Sequence, residues 1–311
     1  MGRTCCFFHS LLNNERRKFL SEATGCFFLM LLELAVGDAY GAGFEYAASE
    51  FVRQHNDLSQ YHPHGKYSRI FRRYTDDTQM SLAVVELMLA EAEWTPLTIA
   101  TYFWNTFRRD PREGYSSRVY SALAETNSPA EFLNRITSDS SGNGAVMRAT
   151  PLGLYPTVDG IKQKAEIQAR VTHNSTLAVA GATAAALLTH YFVYSLGPKA
   201  EVGDFLEMHV PGNWTTDWAG SVTERADVCV QAVLTALRRS ASLSELLREC
   251  VAFTGDVDTV AAVALSAGSW CQELTPDLPA HLIAQLENGD FGADYLVRLD
   301  KALTAKFLTR T

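Results

Sequence analysis

Two short acidic motifs lie about 180 residues apart, Thr75-Asp76-Asp77-Thr78 and Gly255-Asp256-Val257-Asp258-Thr259, and each opens an apolar segment that reads as a helix. Asp and Thr at a helix start can be simple caps, because the first turn leaves N–H groups unpaired and favours negative charge. A cap needs only one such residue, whereas each motif offers two carboxylates and a hydroxyl. Brought together by the fold, the two motifs would repel strongly. A divalent cation removes that repulsion and takes oxygen ligands of this kind. We therefore read the motifs as two parts of one metal site.

The rest of the pattern is helical. Thr75 can cap a helix running to about Glu93, with Met80, Val84, Leu87 and Met88 on one face. Thr176 to Tyr194 is rich in Ala and Leu, and Glu224 to Arg239 sets Val228, Val230, Val233, Leu234 and Leu237 against charged positions. Thr259 to Cys271 carries Ala261, Ala262, Ala264, Ala267 and Gly268, small residues that permit close helix approach. Alternating β-type runs are scarce, and Tyr191 to Tyr194 continues a helical pattern. The expected fold is all-α. The segments richest in Gly, Asn and Ser, expected as loops, are 37–45, 138–144 and 212–220.

At 311 residues, 47% hydrophobic and without a linker or low-complexity tract, one compact domain over 21–311 is expected. Residues 1–20 read as an extension without assigned function. A net charge of −8 argues against a nucleic-acid surface. The six cysteines show no metal spacing or disulfide framework, which fits a reducing cytoplasm. Gly25 to Gly37 is apolar but too short to span a bilayer, and reads as a buried helix. A monomer without nucleic-acid or membrane partners is expected.

Three further segments could carry chemistry. Gly37-Asp38-Ala39-Tyr40-Gly41-Ala42-Gly43-Phe44-Glu45 places a glutamate after a glycine-spaced stretch where backbone can approach a ligand or a helix. Taken alone, Glu45 reads as solvated and Asp38 as a helix-associated hydrogen-bonding residue. Ser140-Ser141-Gly142-Asn143-Gly144 could cradle a phosphate with consecutive N–H groups, or be a plain turn. His173 precedes the Ala-rich helix, where a lone histidine is more often structural. Histidine is absent from both acidic motifs, which favours Mg²⁺ or Mn²⁺ over Zn²⁺.

The segments G-D-A-Y-G-A-G-F-E, T-D-D-T, S-G-N-G-A-x-M-R-x-x-P, T-H-N and G-D-V-D-T-V-A-A, in this order, resemble the ADP-ribosylglycohydrolase family over about Phe27 to Trp270. The resemblance implies an all-α domain with a dinuclear Mg²⁺ or Mn²⁺ centre at the mouth of a central cleft. It also implies removal of ADP-ribose from modified protein side chains, with ADP-ribose as the product ligand. Thr75, Asp76, Asp77, Asp256, Asp258 and Thr259 would then hold the metals, with Asp258 bridging them. Ser140, Ser141, Gly142, Asn143 and Gly144 would hold the pyrophosphate and distal ribose, and His173 would line the cleft. Glu45, Asp77 and Asp258 are the catalytic candidates, and Glu45 is the better general base if it lies off the metals. Two departures concern the contacts: Ser141 stands where some relatives have an aromatic residue, and the 114–117 run aligns insecurely. ADP-ribosyl-arginine is the expected substrate. The alternatives are ADP-ribosyl-serine or another O-linked form, and a catalytically blunted ADP-ribose-binding or structural protein.

Overall fold

The computed structural model describes residues 29–136 and 139–308. The expected extension over 1–20, with Cys5 and Cys6, lies outside the described residues, as does Cys26. Among the described residues fourteen α-helices follow one another: Met30–Ala42 (α1), Ser49–His55 (α2), Asp76–Ala90 (α3), Pro96–Arg109 (α4), Ser117–Glu125 (α5), Pro129–Arg135 (α6) and Val158–Thr172 (α7). Thr176–Val193 (α8), Val202–His209 (α9), Ala226–Arg239 (α10), Leu243–Ala252 (α11), Val257–Gly268 (α12), Ala280–Gln285 (α13) and Ala293–Phe307 (α14) complete them. No strand occurs among the described residues, so the fold is all-α as expected.

Burial sorts the helices into a centre and a shell. Nearly every residue of α1, α8 and α12 is buried, and these three are apolar all round. Helix α8 has the length and composition of a membrane span, but most of it is buried inside the protein, as in a core helix. Helices α3 and α10 are also largely buried, whereas the outer helices bury one stripe each. In α4 that stripe is Ile99, Ala100, Phe103, Thr106 and Phe107, the helical spacing of an amphipathic segment.

The tightest crossing is that of α1 on α12. A Cβ at Gly37 would lie 2.6 Å from the Ala261 carbonyl oxygen, and one at Gly41 would lie 2.5 Å from the Asp258 Cα. The glycine-spaced stretch is therefore helix interior up to Ala42, not the loop expected from its composition. The local punctuation signal of glycine yields to the demand for backbone contact between two helices. This crossing seats Asp258 directly against the end of α1.

Six helices are capped locally by a Ser or Thr side chain: Thr95, Ser116, Ser128, Thr157, Ser175 and Ser242 each accept an N–H of the first turn. The helices that follow the acidic motifs are different. Neither Thr75 before α3 nor Asp256 before α12 makes a side-chain cap. The start of α3 is served instead from α1, where Asp38 accepts Thr75 N at 2.9 Å and Thr78 N at 3.0 Å, together with both threonine hydroxyls. Asp300 of α14 does the same for α1, accepting Leu31 N at 3.0 Å and Leu32 N at 3.3 Å. At the first acidic motif Asp38 thus takes over the capping, while at the second Asp258 Oδ1 accepts the adjacent Thr259 N at 3.0 Å.

Candidate metal and ligand cleft

A cleft of about 280 Å³ opens where the starts of α3 and α12 meet, lined by Asp76, Asp77, Asp256, Asp258 and Thr259 with Glu45 at its edge. Chain segments far apart in sequence are stitched together around it. Asn143 N donates to Glu224 O at 2.7 Å and Ala226 N to Ser141 O at 3.1 Å, while Val222 N donates to Thr254 O at 2.8 Å and Asp256 N to Val222 O at 3.2 Å. Residues 222–226 therefore bridge the Ser140–Gly144 loop to the second acidic motif. Asn143 Nδ2 completes the link by donating to Asp256 Oδ2 at 2.7 Å.

The carboxylates converge as the motifs suggest. One oxygen each of Glu45, Asp256 and Asp258 lies within 4.8 Å of the others. Asp77 Oδ1 is buried without a hydrogen-bond partner. Burial, then the charges of neighbouring carboxylates, raise the proton affinities of Asp76, Asp77 and Asp258 well above the usual range. Asp256 is raised to about 6, chiefly by burial. An all-oxygen donor set with an orphaned buried oxygen and mutually repelling acids fits a hard divalent cation, which would neutralise the cluster.

The Glu45 carboxylate groups with those of Asp256 and Asp258. The reason is geometric: α1 continues to Ala42, so the turn after it delivers residue 45 above the start of α12. Thr75 and Ser141 fall outside the cleft lining. The Thr75 hydroxyl donates to Asp38 Oδ1 at 2.8 Å, so its proton is committed there while its lone pairs remain. Ser141 is exposed, with its carbonyl tied to Ala226.

The phosphate-cradle expectation is narrowed as well. Gly142 N donates to Ser140 Oγ at 3.1 Å and Asn143 N to Glu224 O, so these two amides are already paired. Ser140, Gly142, Asn143, Gly144 and His173 do line the cleft. His173 packs on the loop so closely that a Cβ at Gly144 would lie 2.7 Å from its Cε1, whereas at Gly142 the nearest atom would be 3.3 Å away. Burial, then Arg148 and Arg118, push the His173 proton affinity down to about 3, so it is neutral.

Arg148 has a role that the sequence reading missed. Its buried guanidinium donates to Gly144 O at 2.6 Å, Gln168 Oε1 at 2.6 Å and Thr172 Oγ1 at 2.8 Å, and lies over the Phe103 ring. The Thr172 hydroxyl sits 2.7 Å from His173 Nδ1. That hydroxyl accepts from Arg148 and keeps both its proton and a second lone pair, so it can pair with Nδ1 in either tautomer. The available signal was a lone arginine inside the apolar run 145–154. Two other missed residues edge the cleft: the Tyr46 hydroxyl donates to Glu224 Oε1 at 3.1 Å, while Tyr46 N holds Gly255 O at 2.9 Å.

Beyond Glu45, Gly114 and Glu224 the cleft opens into an outer groove of about 1240 Å³. Its walls include Tyr46, Tyr67 and Tyr120, and its charged groups are Glu45, Glu113, Glu224 and Lys66.

An all-helical domain with a carboxylate-lined cleft at paired helix starts is the class that fold and site define. The chain belongs to the ADP-ribosylglycohydrolase family, whose profile matches residues 18–310. It is similar to ADP-ribosylhydrolase ARH3 of Gallus gallus, 28% identical over 70% of this chain and 64% of that protein. It is 31% identical to the Bos taurus protein of the same name, over 55% of this chain and 49% of the relative. The matches thus span about half to two thirds of the length of these relatives. ADP-ribosyl-[dinitrogen reductase] glycohydrolase of Rhodospirillum rubrum is 27% identical over 82% of this chain and 88% of its own. A solved ADP-ribosylglycohydrolase-related protein complex superposes with a TM-score of 0.67 at 24% identity, covering 89% of this chain and 96% of its own, a likeness of fold.

Proposed function

We propose that this protein is a metal-dependent hydrolase that releases ADP-ribose from ADP-ribosylated protein side chains, with ADP-ribosyl-arginine as its substrate. The observation that carries the reading is the convergence of Glu45, Asp256 and Asp258 within 4.8 Å, beside a loop and a neutral histidine suited to a polar ligand. Asp76, Asp77, Asp256, Asp258, Thr259 and Glu45 would hold two Mg²⁺ or Mn²⁺ ions, with a Thr75 lone pair in reserve. When bound, such ions orient ribose hydroxyls and acidify a water.

The chain's own residues do the rest. Cleavage at the anomeric carbon builds positive charge on the ribose, and the surrounding carboxylates stabilise it. Among these carboxylates we assign proton acceptance from the attacking water to Asp77, whose Oδ1 lacks a hydrogen-bond partner and can take a proton while the other oxygen faces an ion. The neutral His173 imidazole and the Asn143 side chain line the ligand space as polar groups. The outer groove carries three carboxylates against one ammonium, which favours a cationic acceptor such as arginine.

The test is hydrolysis of arginine-, serine- and glutamate-linked ADP-ribosyl peptides with Mg²⁺ and Mn²⁺. Turnover of the arginine linkage supports the reading. Turnover of the serine linkage alone replaces the acceptor and keeps the chemistry. ADP-ribose binding without turnover of any linkage makes the protein a binder.

A further inference from the structure

Glu45 has a partner that the sequence did not suggest. His64 Nε2 lies 3.0 Å from Glu45 Oε2, and the two side chains are only 8% and 19% exposed. The other ring nitrogen, Nδ1, accepts two backbone amides, Lys66 N at 2.8 Å and Tyr67 N at 3.0 Å. A nitrogen that accepts N–H groups carries no proton of its own, so the imidazole proton resides on Nε2 and is donated to Glu45. The tautomer follows from geometry alone. The ring is further held against Tyr67, with centroids 4.9 Å apart.

Glu45 needs such a hold. Asp256 and Asp258 are fixed by the start of α12, whereas Glu45 sits in the turn between α1 and α2 and faces two like charges. A carboxylate in a turn beside two others takes its place from an opposing contact, and His64 supplies the one at Glu45 Oε2. We propose that His64 is a positioning residue: its neutral Nε2–H holds the Glu45 carboxylate against Asp256 and Asp258, ready for a cation. This rests on reading the cluster as an ion site. Hydrogen bonds of this outer kind orient ligating groups, and losing one typically weakens metal affinity about 10–100-fold.

The experiment compares the wild-type chain with His64→Ala and His64→Gln by calorimetric Mn²⁺ titration. The expected result is a loss of about tenfold or more in the alanine variant. Glutamine should recover most of it, because its side-chain amide can donate where Nε2 did. An alanine variant within twofold of wild type, or a glutamine variant as weak as alanine, overturns the role. A second readout needs neither ions nor turnover. ¹⁵N NMR of the metal-free protein should show the His64 ring protonated on Nε2 and bare on Nδ1, and the opposite tautomer overturns the proposal even if the variants misfold. Wild-type protein that binds no Mn²⁺ removes the ion-site reading and this role with it. Normal Mn²⁺ binding without hydrolysis of any linkage removes only the proposed reaction.

Discussion

At the scale of single residues, the carboxylates divide by what they accept. Asp38 takes four donors from the start of α3, so Asp38→Ala leaves the Thr75 and Thr78 amides unpaired in the core. We expect a loss of about 3 kcal/mol or more, read by chemical denaturation, with Asp38→Asn recovering part of it. Asp77 presents an orphaned oxygen to the cleft instead. Asp77→Asn keeps its shape, and if Asp77 accepts the water's proton the rate should fall about 10²–10⁴-fold while ADP-ribose still binds. A rate within a few-fold of wild type would send the proton elsewhere. The acidic motifs, the 140–144 loop and His173 were legible in the sequence because each keeps its chemistry within a few consecutive residues. His64, Arg148 and Glu224 were not. The Tyr46–Glu224 bond spans 178 positions, and no local pattern announces such a meeting.

At the scale of elements, apolar patterning disclosed five of the fourteen described helices, α1, α3, α8, α10 and α12, and the last four begin within two residues of their expected starts. The sequence misled at Gly37–Ala42, where glycine serves a distant helix and not a turn. That crossing is testable. Gly41→Ala places a methyl group 2.5 Å from the Asp258 Cα, backbone that cannot swing aside. Helices α1 and α12 must then part. We expect about 1–3 kcal/mol of destabilisation, as for other overpacked sites, together with a weaker Mn²⁺ isotherm, since Asp258 moves with its helix. A variant that melts lower yet binds Mn²⁺ normally would uncouple the crossing from the site.

For the molecule as a whole, buried acid dominates the response to pH. Burial, before any neighbouring charge, raises Glu33 and Asp300 to about 8 and Asp38 and Asp256 to about 6. In the unfolded chain these groups titrate near 4. The folded state therefore binds more protons between those values. The stability they contribute is full below about pH 4 and is lost as pH rises through 6 and then 8. Metal-free protein should have a lower denaturation midpoint at pH 8.5 than at pH 5.5, and Glu33→Gln should shrink that difference. An unchanged slope in Glu33→Gln would mean that other groups set it. Mn²⁺ should act in the opposite direction, binding more tightly as pH rises through 6, because it competes with the cluster's protons.

The meeting of α1 with α12 also imposes a timetable. More than 200 residues separate the two glycines of α1 from the start of its partner. At ribosomal speeds of about 5–20 residues per second, α1 waits roughly 10–45 s after its own synthesis for α12 to emerge. During that interval an almost wholly apolar helix lacks the partner it packs against most closely, and the cleft is incomplete. Ribosome-bound chains stopped before Val257 should be cut readily by protease and associate with chaperones, and chains extended past Gly268 should resist. Equal resistance before and after that point would show that the first half of the chain folds without its closing helix.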